Sequence, residues 1–201
     1  MDKYGTGQDP YCYEGSSTLK NLLNIRDDLT LESAERDLTT ITAQDIQFAP
    51  PPYDLNYLKG LHHQLFSDLY SWAGEIRTID VAKGETRFCH VLRIEPEAHK
   101  LFEQFAHEGY YVDLARDQLI VAVAEFYGDL NVIHPFREGN GRTQRLLFEH
   151  IVINSGYEIS WESIQREEWL HASIAAYHCD YDAMAILFDR CIGQPLSELS
   201  L

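Results

Sequence analysis

His134-Pro135-Phe136-Arg137-Glu138-Gly139-Asn140-Gly141-Arg142-Thr143-Gln144-Arg145 sits between two apolar, helix-patterned stretches of the chain. The run holds an imidazole, a carboxylate, two glycines and three guanidiniums. Two glycines in a short loop cost backbone entropy, and a requirement that only glycine meets must offset that cost. Close approach of backbone N–H groups to a polyphosphate is such a requirement. Gly139, Asn140 and Gly141 stand where the chain turns into a helix, whose first N–H groups have no internal acceptor and carry the positive end of the dipole. An anion fits there, and the Asn140 amide can add a side-chain donor. Arg142 and Arg145 are three residues apart, so the spacing predicts a shared helix face suited to distal phosphates. Glu138 supplies a hard oxygen beside them, the donor type Mg²⁺ takes together with substrate phosphates. His134 is the side chain best matched to removing a proton from a hydroxyl near neutral pH. The chemistry implied is attack of a hydroxyl on phosphorus, with a phosphate as leaving group. Each short piece alone reads as turn, loop or solvated face; their joint occurrence in one run is what points to a site.

Working outward, Leu114 to Asn131 is strongly apolar (Leu119, Ile120, Val123, Ala124, Tyr127, Leu130) and predicts a helix at the centre of the domain. A further helix is predicted from Gly141 to the stop at Gly156. Upstream, Leu58, Leu61, His62, Leu65, Phe66 and Leu69 predict a helix from about Leu55 to Tyr70. Ile76, Ile79, Val81, Phe88 and Val91 flank the turn Lys83-Gly84-Glu85 and predict a short β-hairpin. Helices are expected from Pro96 to Glu108, from Ser163 to Tyr177 and from Asp182 to Cys191. Gly5, Gly7, Pro10 and Gly15 mark an irregular lead-in. Ser16-Ser17-Thr18 predicts a cap for a helix starting near Leu19, and a second helix is expected over Thr30 to Thr40. Pro50-Pro51-Pro52 is read as the junction between an N-terminal helical arm (1–50) and a catalytic domain (51–201). The fold class expected is all-α with one small hairpin.

The 201 residues and a 45% hydrophobic fraction allow a true core. A formal net charge of -16 argues against direct nucleic-acid binding and against an anionic membrane as partner. No apolar run is long enough to span a bilayer, and the first residues lack a secretory pattern, so a cytoplasmic location is expected. The four cysteines (Cys12, Cys89, Cys179, Cys191) show no paired spacing of a zinc site or redox pair. The segment from Trp169 to Tyr177 is as suited to ordinary core as to lining a base pocket.

The motif resembles the signature of the Fic family, HPFx(D/E)GNGRxxR, at every fixed position from His134 to Arg145. The segment from His62 to Arg77, with Trp72-Ala73-Gly74-Glu75-Ile76-Arg77, is similar to the family's lead into its hairpin. Asp9-Pro10-Tyr11-Cys12-Tyr13-Glu14-Gly15 and Leu19-Lys20-Asn21-Leu22-Leu23-Asn24-Ile25 look like the lead-in of short bacterial Fic toxins. The resemblance implies a mainly helical fold with a β-hairpin flap over the site, and transfer of AMP from ATP to a protein hydroxyl. It implies His134 as general base and Glu138 as Mg²⁺ ligand. Gly139, Asn140 and Gly141 would cradle the α- and β-phosphates, and Arg142 and Arg145 the β- and γ-phosphates. The flap, Asp80-Val81-Ala82-Lys83-Gly84-Glu85-Thr86-Arg87-Phe88-Cys89, would dock the target by strand addition.

Family members can silence themselves with a helix bearing (S/T)xxxE(G/N). Ser71 and Glu75 have the right spacing, but Ile76 follows, and no other stretch matches. The resemblance therefore implies a small antitoxin protein that presents the glutamate to Arg145. It also implies the B subunit of DNA gyrase and the matching subunit of topoisomerase IV as targets. A phosphate donor mode, as in the Doc branch with lysine at the place of Gly141, is disfavoured by the glycine. UMP or phosphocholine transfer, and a non-catalytic nucleotide-binding module, are the remaining alternatives.

Overall fold

A computed structural model describes residues 9–196. Among these residues seven α-helices and two small antiparallel strand pairs form the fold, in agreement with the expected class. The expected breakers Gly5 and Gly7 lie outside the described residues.

The helices are α1 (Asp28–Asp45), α2 (Leu55–Phe66), α3 (Ile94–His107), α4 (Arg116–Ile133), α5 (Asn140–Asn154), α6 (Arg166–Tyr177) and α7 (Asp182–Cys191). Two of them start at aspartate caps. Asp27 accepts the Thr30 N–H at 2.8 Å and Asp54 accepts the Tyr57 N–H at 2.7 Å, so each satisfies an otherwise orphaned donor. Helix α4 buries residues on nearly every side, from Leu119 to Ile133, and packs against α3, α5, α6 and α7. It is the central rod, as its apolar composition predicts. Trp169 joins Trp161, Tyr127 and Phe188 in an edge-to-face aromatic cluster under α6, and its Nε1 donates to the Tyr127 hydroxyl at 3.2 Å. No helix among the described residues is long and apolar enough to cross a membrane.

The hairpin is present but short: β1 (Ala82–Lys83) pairs with β2 (Thr86–Arg87), with Ala82 opposite Arg87 and Lys83 opposite Thr86. Gly84 takes φ +61° at the first position of the two-residue turn, which favours glycine there. A second pair, β3 (Tyr157–Ile159) with β4 (Ile192–Pro195), closes the C-terminal end. Its strands are too brief for an alternating pattern and escape a reading by periodicity.

The expected helix at Leu19 is absent. Leu19 instead bridges to Cys12, Lys20 donates its N–H to the Tyr11 carbonyl at 2.8 Å, and Leu22 donates to Leu69 at 2.8 Å. The Asn21 amide bonds the carbonyls of Leu19 and Ile25 and accepts the Ile25 N–H at 3.0 Å. A side chain that serves its own backbone in this way offers an alternative to the helical ladder. Helix α1 starts and ends further out than the Thr30 to Thr40 span expected for it.

The lead-in is tied by charge to the loop between α4 and α5. Arg137 is 2% exposed, and its Nε and Nη2 donate to Asp9 Oδ2 at 2.9 and 2.6 Å. A buried guanidinium is tolerated because this carboxylate meets it in charge-assisted geometry. Asp9→Asn is therefore expected to lower the unfolding free energy by about 3 kcal/mol, read as a fall in the urea midpoint at constant m-value.

Candidate active site

The backbone between α4 and α5 makes the site. Helix α4 stops because His134 enters the left-handed region (φ 49°, ψ 62°) while its N–H still reaches the Leu130 carbonyl at 3.2 Å. Helix α5 starts because Gly139 takes φ 81°, and a Cβ there would lie 2.3 Å from the Phe66 ring. Both the dihedral and the ring demand glycine. The first rung of the α5 ladder is the Thr143 N–H to the Gly139 carbonyl at 3.1 Å. The N–H groups of Asn140, Gly141 and Arg142 precede it and have no acceptor within the helix. A Cβ at Gly141 would meet nothing within 4 Å. The space beside this helix start is open, as a cradle for an anion requires.

The Asn140 side chain is placed differently from the expectation. It is 3% exposed, its Oδ1 accepts the Phe136 N–H at 2.9 Å and its Nδ2 donates to the Phe136 carbonyl at 2.8 Å. Asn140 thus braces the loop by a closed pair of bonds, and what it offers outward is backbone. Glu138 is partly exposed at the mouth, where its Oε1 accepts the Gly139 N–H at 3.1 Å and lies 3.9 Å from Arg142 Nη2. Among the described residues no group of three or more His, Cys, Asp or Glu side chains is arranged as a metal cluster. One partly exposed carboxylate is the available donor, and it suits an ion held chiefly by substrate phosphates and water.

His134 Nδ1 lies 3.2 Å from the Asn131 carbonyl. A carbonyl only accepts, so Nδ1 carries the proton and Nε2 presents a lone pair. The Phe88 ring from the flap stacks on the imidazole, with centroids 3.7 Å apart and planes at 14°. Burial lowers the His134 pKa to about 4, against the smaller opposing pull of the Asn131 carbonyl and the Glu138 charge. The ring is neutral at physiological pH, in the state a general base needs.

Two residues outside the motif hold it in place. His62 of α2 accepts the Gly74 N–H on Nδ1 at 2.8 Å and donates from Nε2 to the Glu138 carbonyl at 3.0 Å. Its ring stacks on Phe136 with centroids 3.9 Å apart. Arg77 is 1% exposed and donates to the carbonyls of His134 (Nε, 2.8 Å), Ile79 (Nη1, 2.6 Å) and Cys89 (Nη2). Its own N–H reaches the Pro135 carbonyl at 2.9 Å, and the Cys89 N–H reaches Val132 at 2.9 Å. These bonds clamp the base of the flap to the loop between α4 and α5. His62 was legible as a histidine within an otherwise apolar helix stripe and as the start of the segment resembling the family's lead into its hairpin, but not as a partner of the loop. Of the flap residues, Phe88 meets the motif directly, Val81 is buried at the root, and Lys83, Gly84, Glu85 and Arg87 are exposed at the tip. Asp80 accepts the Val91 N–H at 2.7 Å, while Ala82 and Thr86 are half-buried in the paired strands.

Arg142 and Arg145 do not share neighbours. Arg142 lies over the Phe66 ring, 4.9 Å from its centroid, and pairs with Glu35 of α1. Arg145 is coupled by charge to Glu149 and Tyr127. Glu149 accepts the Trp161 Nε1–H at 2.6 Å.

Fold and site together define a helical, flap-covered class built round an HPFxEGNGRxxR loop, and the Fic/DOC family profile matches residues 52–152. The chain belongs to the Fic/DOC family. It is 37% identical over 193 residues to the probable protein adenylyltransferase Fic of Escherichia coli K12, covering 96% of both chains. It is 34% identical to the protein adenylyltransferase VbhT of Bartonella schoenbuchensis, covering 94% of this chain and 40% of that protein. Among solved structures, the Fic domain of a Bartonella quintana effector with bound ADP has a TM-score of 0.87 at 31% identity, covering 94% and 96% of the two chains. The BepC protein of Bartonella tribocorum with bound AMPPNP has a TM-score of 0.88 at 26% identity, covering 93% and 97%.

A consequence for stability follows from three imidazoles, His62 and His150 buried and His134 half-buried. Burial lowers His62, His134 and His150 each to about 4, against about 6.5 in the unfolded chain. Between these values the unfolded chain binds more protons than the native one, so stability rises with pH across the window. Acidification from pH 6.5 to 4 is expected to remove on the order of a few kcal/mol. Urea titrations of wild type and of His62→Gln and His150→Gln at both pH values measure this. A slope of opposite sign, or one that the substitutions leave unchanged, contradicts it.

Proposed function

We propose that the protein is a protein adenylyltransferase that moves AMP from ATP to a hydroxyl side chain of another protein. The observation that carries this is the neutral His134, with Nε2 presented beside an anion-ready helix start and under an aromatic flap. The names of the relatives and the nucleotides bound by the structural neighbours support it.

In this reading the Gly139-Asn140-Gly141 segment cradles the α- and β-phosphates, chiefly through the N–H groups of Asn140 and Gly141, and Arg142 and Arg145 hold the β- and γ-phosphates. Glu138 would hold Mg²⁺, which when bound neutralises phosphate charge. His134 Nε2 takes the proton of the incoming hydroxyl. The hydroxyl oxygen forms a bond to Pα as the bond from Pα to the bridging oxygen breaks, and pyrophosphate leaves with that electron pair. The exposed tip of the flap, Lys83 to Arg87, offers strand edges to an extended segment of the target. Phe88 keeps water from His134 until that segment arrives.

The finer assignments rest on the resemblance to short bacterial Fic toxins. They are a cytoplasmic toxin–antitoxin role, the gyrase B subunit and its topoisomerase IV counterpart as targets, and an antitoxin glutamate aimed at Arg145. Residues 1–50 would act as the arm of a catalytic domain over 51–201.

Two measurements test the reading. Incubation with α-labelled ATP, Mg²⁺ and the topoisomerase subunits is expected to label protein, with mass spectrometry reporting an added AMP. His134→Ala is expected to lower the rate by about 10²-fold or more with the fold retained. Label carried from γ-labelled ATP instead, or labelling unaffected by His134→Ala, counts against it. Gly141→Ala separates cradle from fold. It is expected to leave stability unchanged or raise it by about 0.5–1 kcal/mol, while ATP affinity falls, because its Cβ would enter open space meant for phosphate.

A further inference from the structure

The inner face of α1 is built for more than packing. Leu31, Glu35 and Thr39 follow one another at four-residue spacing and are its buried residues, at 5%, 8% and 4% exposure. Two of the three are polar. A helix serving only to cover a core would carry apolar side chains there, because a buried carboxylate costs free energy unless it is paired. Glu35 is paired twice: Oε1 accepts Arg142 Nη2, and Oε2 accepts the Tyr70 hydroxyl. Burial first, and the Glu35 charge second, push the Tyr70 pKa far above its ordinary value, so this hydroxyl remains a donor. Thr39 gives its proton to the Glu35 carbonyl at 2.7 Å, which leaves Oγ1 to accept Arg142 Nη1 at 3.4 Å. Phe66 lies beneath the guanidinium. Arg142 is thus held on one edge and one face, while its side chain keeps 27% exposure toward the site. Among the described residues no hydrogen bond or ion pair holds Arg145 in a comparable grip. Helix α1 lies outside the 52–152 span of the family match.

We infer that Glu35, seated by Tyr70 and aided by Thr39, is a positioning residue that presets the Arg142 guanidinium for the polyphosphate of the nucleotide. The inference rests on the nucleotide-transfer reading above. A guanidinium already fixed in place loses less rotamer freedom on binding, so its donors contribute more to affinity. The effect is confined to ligands that carry phosphates beyond the first, because Arg142 sits one helical turn from Glu138 rather than at the start of the cradle.

Equilibrium binding of ATP and of AMP, with thermal unfolding alongside, tests this on wild type, Glu35→Ala, Glu35→Gln, Tyr70→Phe, Arg142→Ala and the Glu35→Ala/Arg142→Ala double variant. Glu35→Ala is expected to weaken ATP about ten-fold and leave AMP unchanged. Glu35→Gln, which keeps a neutral acceptor, should lose less, and Tyr70→Phe should shift ATP in the same direction. The double variant should bind ATP no worse than Arg142→Ala alone, since Glu35 acts through that side chain. Equal losses for ATP and AMP would make Glu35 a structural residue, and so would a double variant with additive losses. Unchanged ATP affinity in Glu35→Ala, or tighter binding with faster transfer, would overturn the inference and mark the contact as idle or inhibitory. If Glu35→Ala does not fold, Tyr70→Phe and Glu35→Gln carry the same comparison, and no selective loss of ATP in either overturns it. Failure of the wild type to bind ATP would instead bring down the nucleotide reading, and this inference with it.

Discussion

Arg77 is the constraint on which the site depends. Its guanidinium lies inside the protein with carbonyl oxygens of His134, Ile79 and Cys89 as acceptors, and it stays charged although burial lowers its pKa. These carbonyls tie backbone to backbone, and the Asp80 carboxylate lies 3.9 Å from Nη1. One side chain therefore sets the distance between the flap root and the left-handed residue that ends α4. The stack of Phe88 on His134 follows from that spacing. A flap hinged only by its own two pairs of strand residues would be a marginal structure. Clamped at its root, it can present an exposed tip and still cover the imidazole.

The same economy of long-range partners holds the rest of the loop. His62 reaches the carbonyl of Glu138, Asp9 neutralises Arg137, and Glu35 grips Arg142. Each partner comes from a different segment: α2, the lead-in and α1. The charged groups of the motif are surrounded by fixed donors and acceptors in place of mobile water, the arrangement that makes electrostatic stabilisation effective. The neutral His134 belongs to this pattern. Its Nδ1 proton is assigned by the Asn131 carbonyl one turn back on α4, so the helix that builds the core also orients this ring.

Much of this was legible along the chain. Helix α4 was readable because a helix buried on most sides is apolar on most sides, and the turn at Gly84 because glycine marks the positive φ. The motif could be read as chemistry because its members are neighbours in sequence. The helix expected at Leu19 failed because leucine spacing alone does not register the Asn21 amide, which bonds the local backbone first. The pairing of Arg142 with Glu35 was not legible, because its acid lies on α1, far off in sequence.

By itself, then, the sequence determined the ladder of helices and the set of reactive groups, since both are written in spacings of a few residues that local backbone geometry enforces. Tertiary structure decided which acid meets which arginine, where the Asn140 amide points and which nitrogen of His134 is free. Those outcomes hang on contacts such as Arg142 with Glu35, 107 residues apart, and Arg137 with Asp9, 128 apart. No local rule connects such positions, and only the packing of α1 and the lead-in against α5 brings them within hydrogen-bonding range.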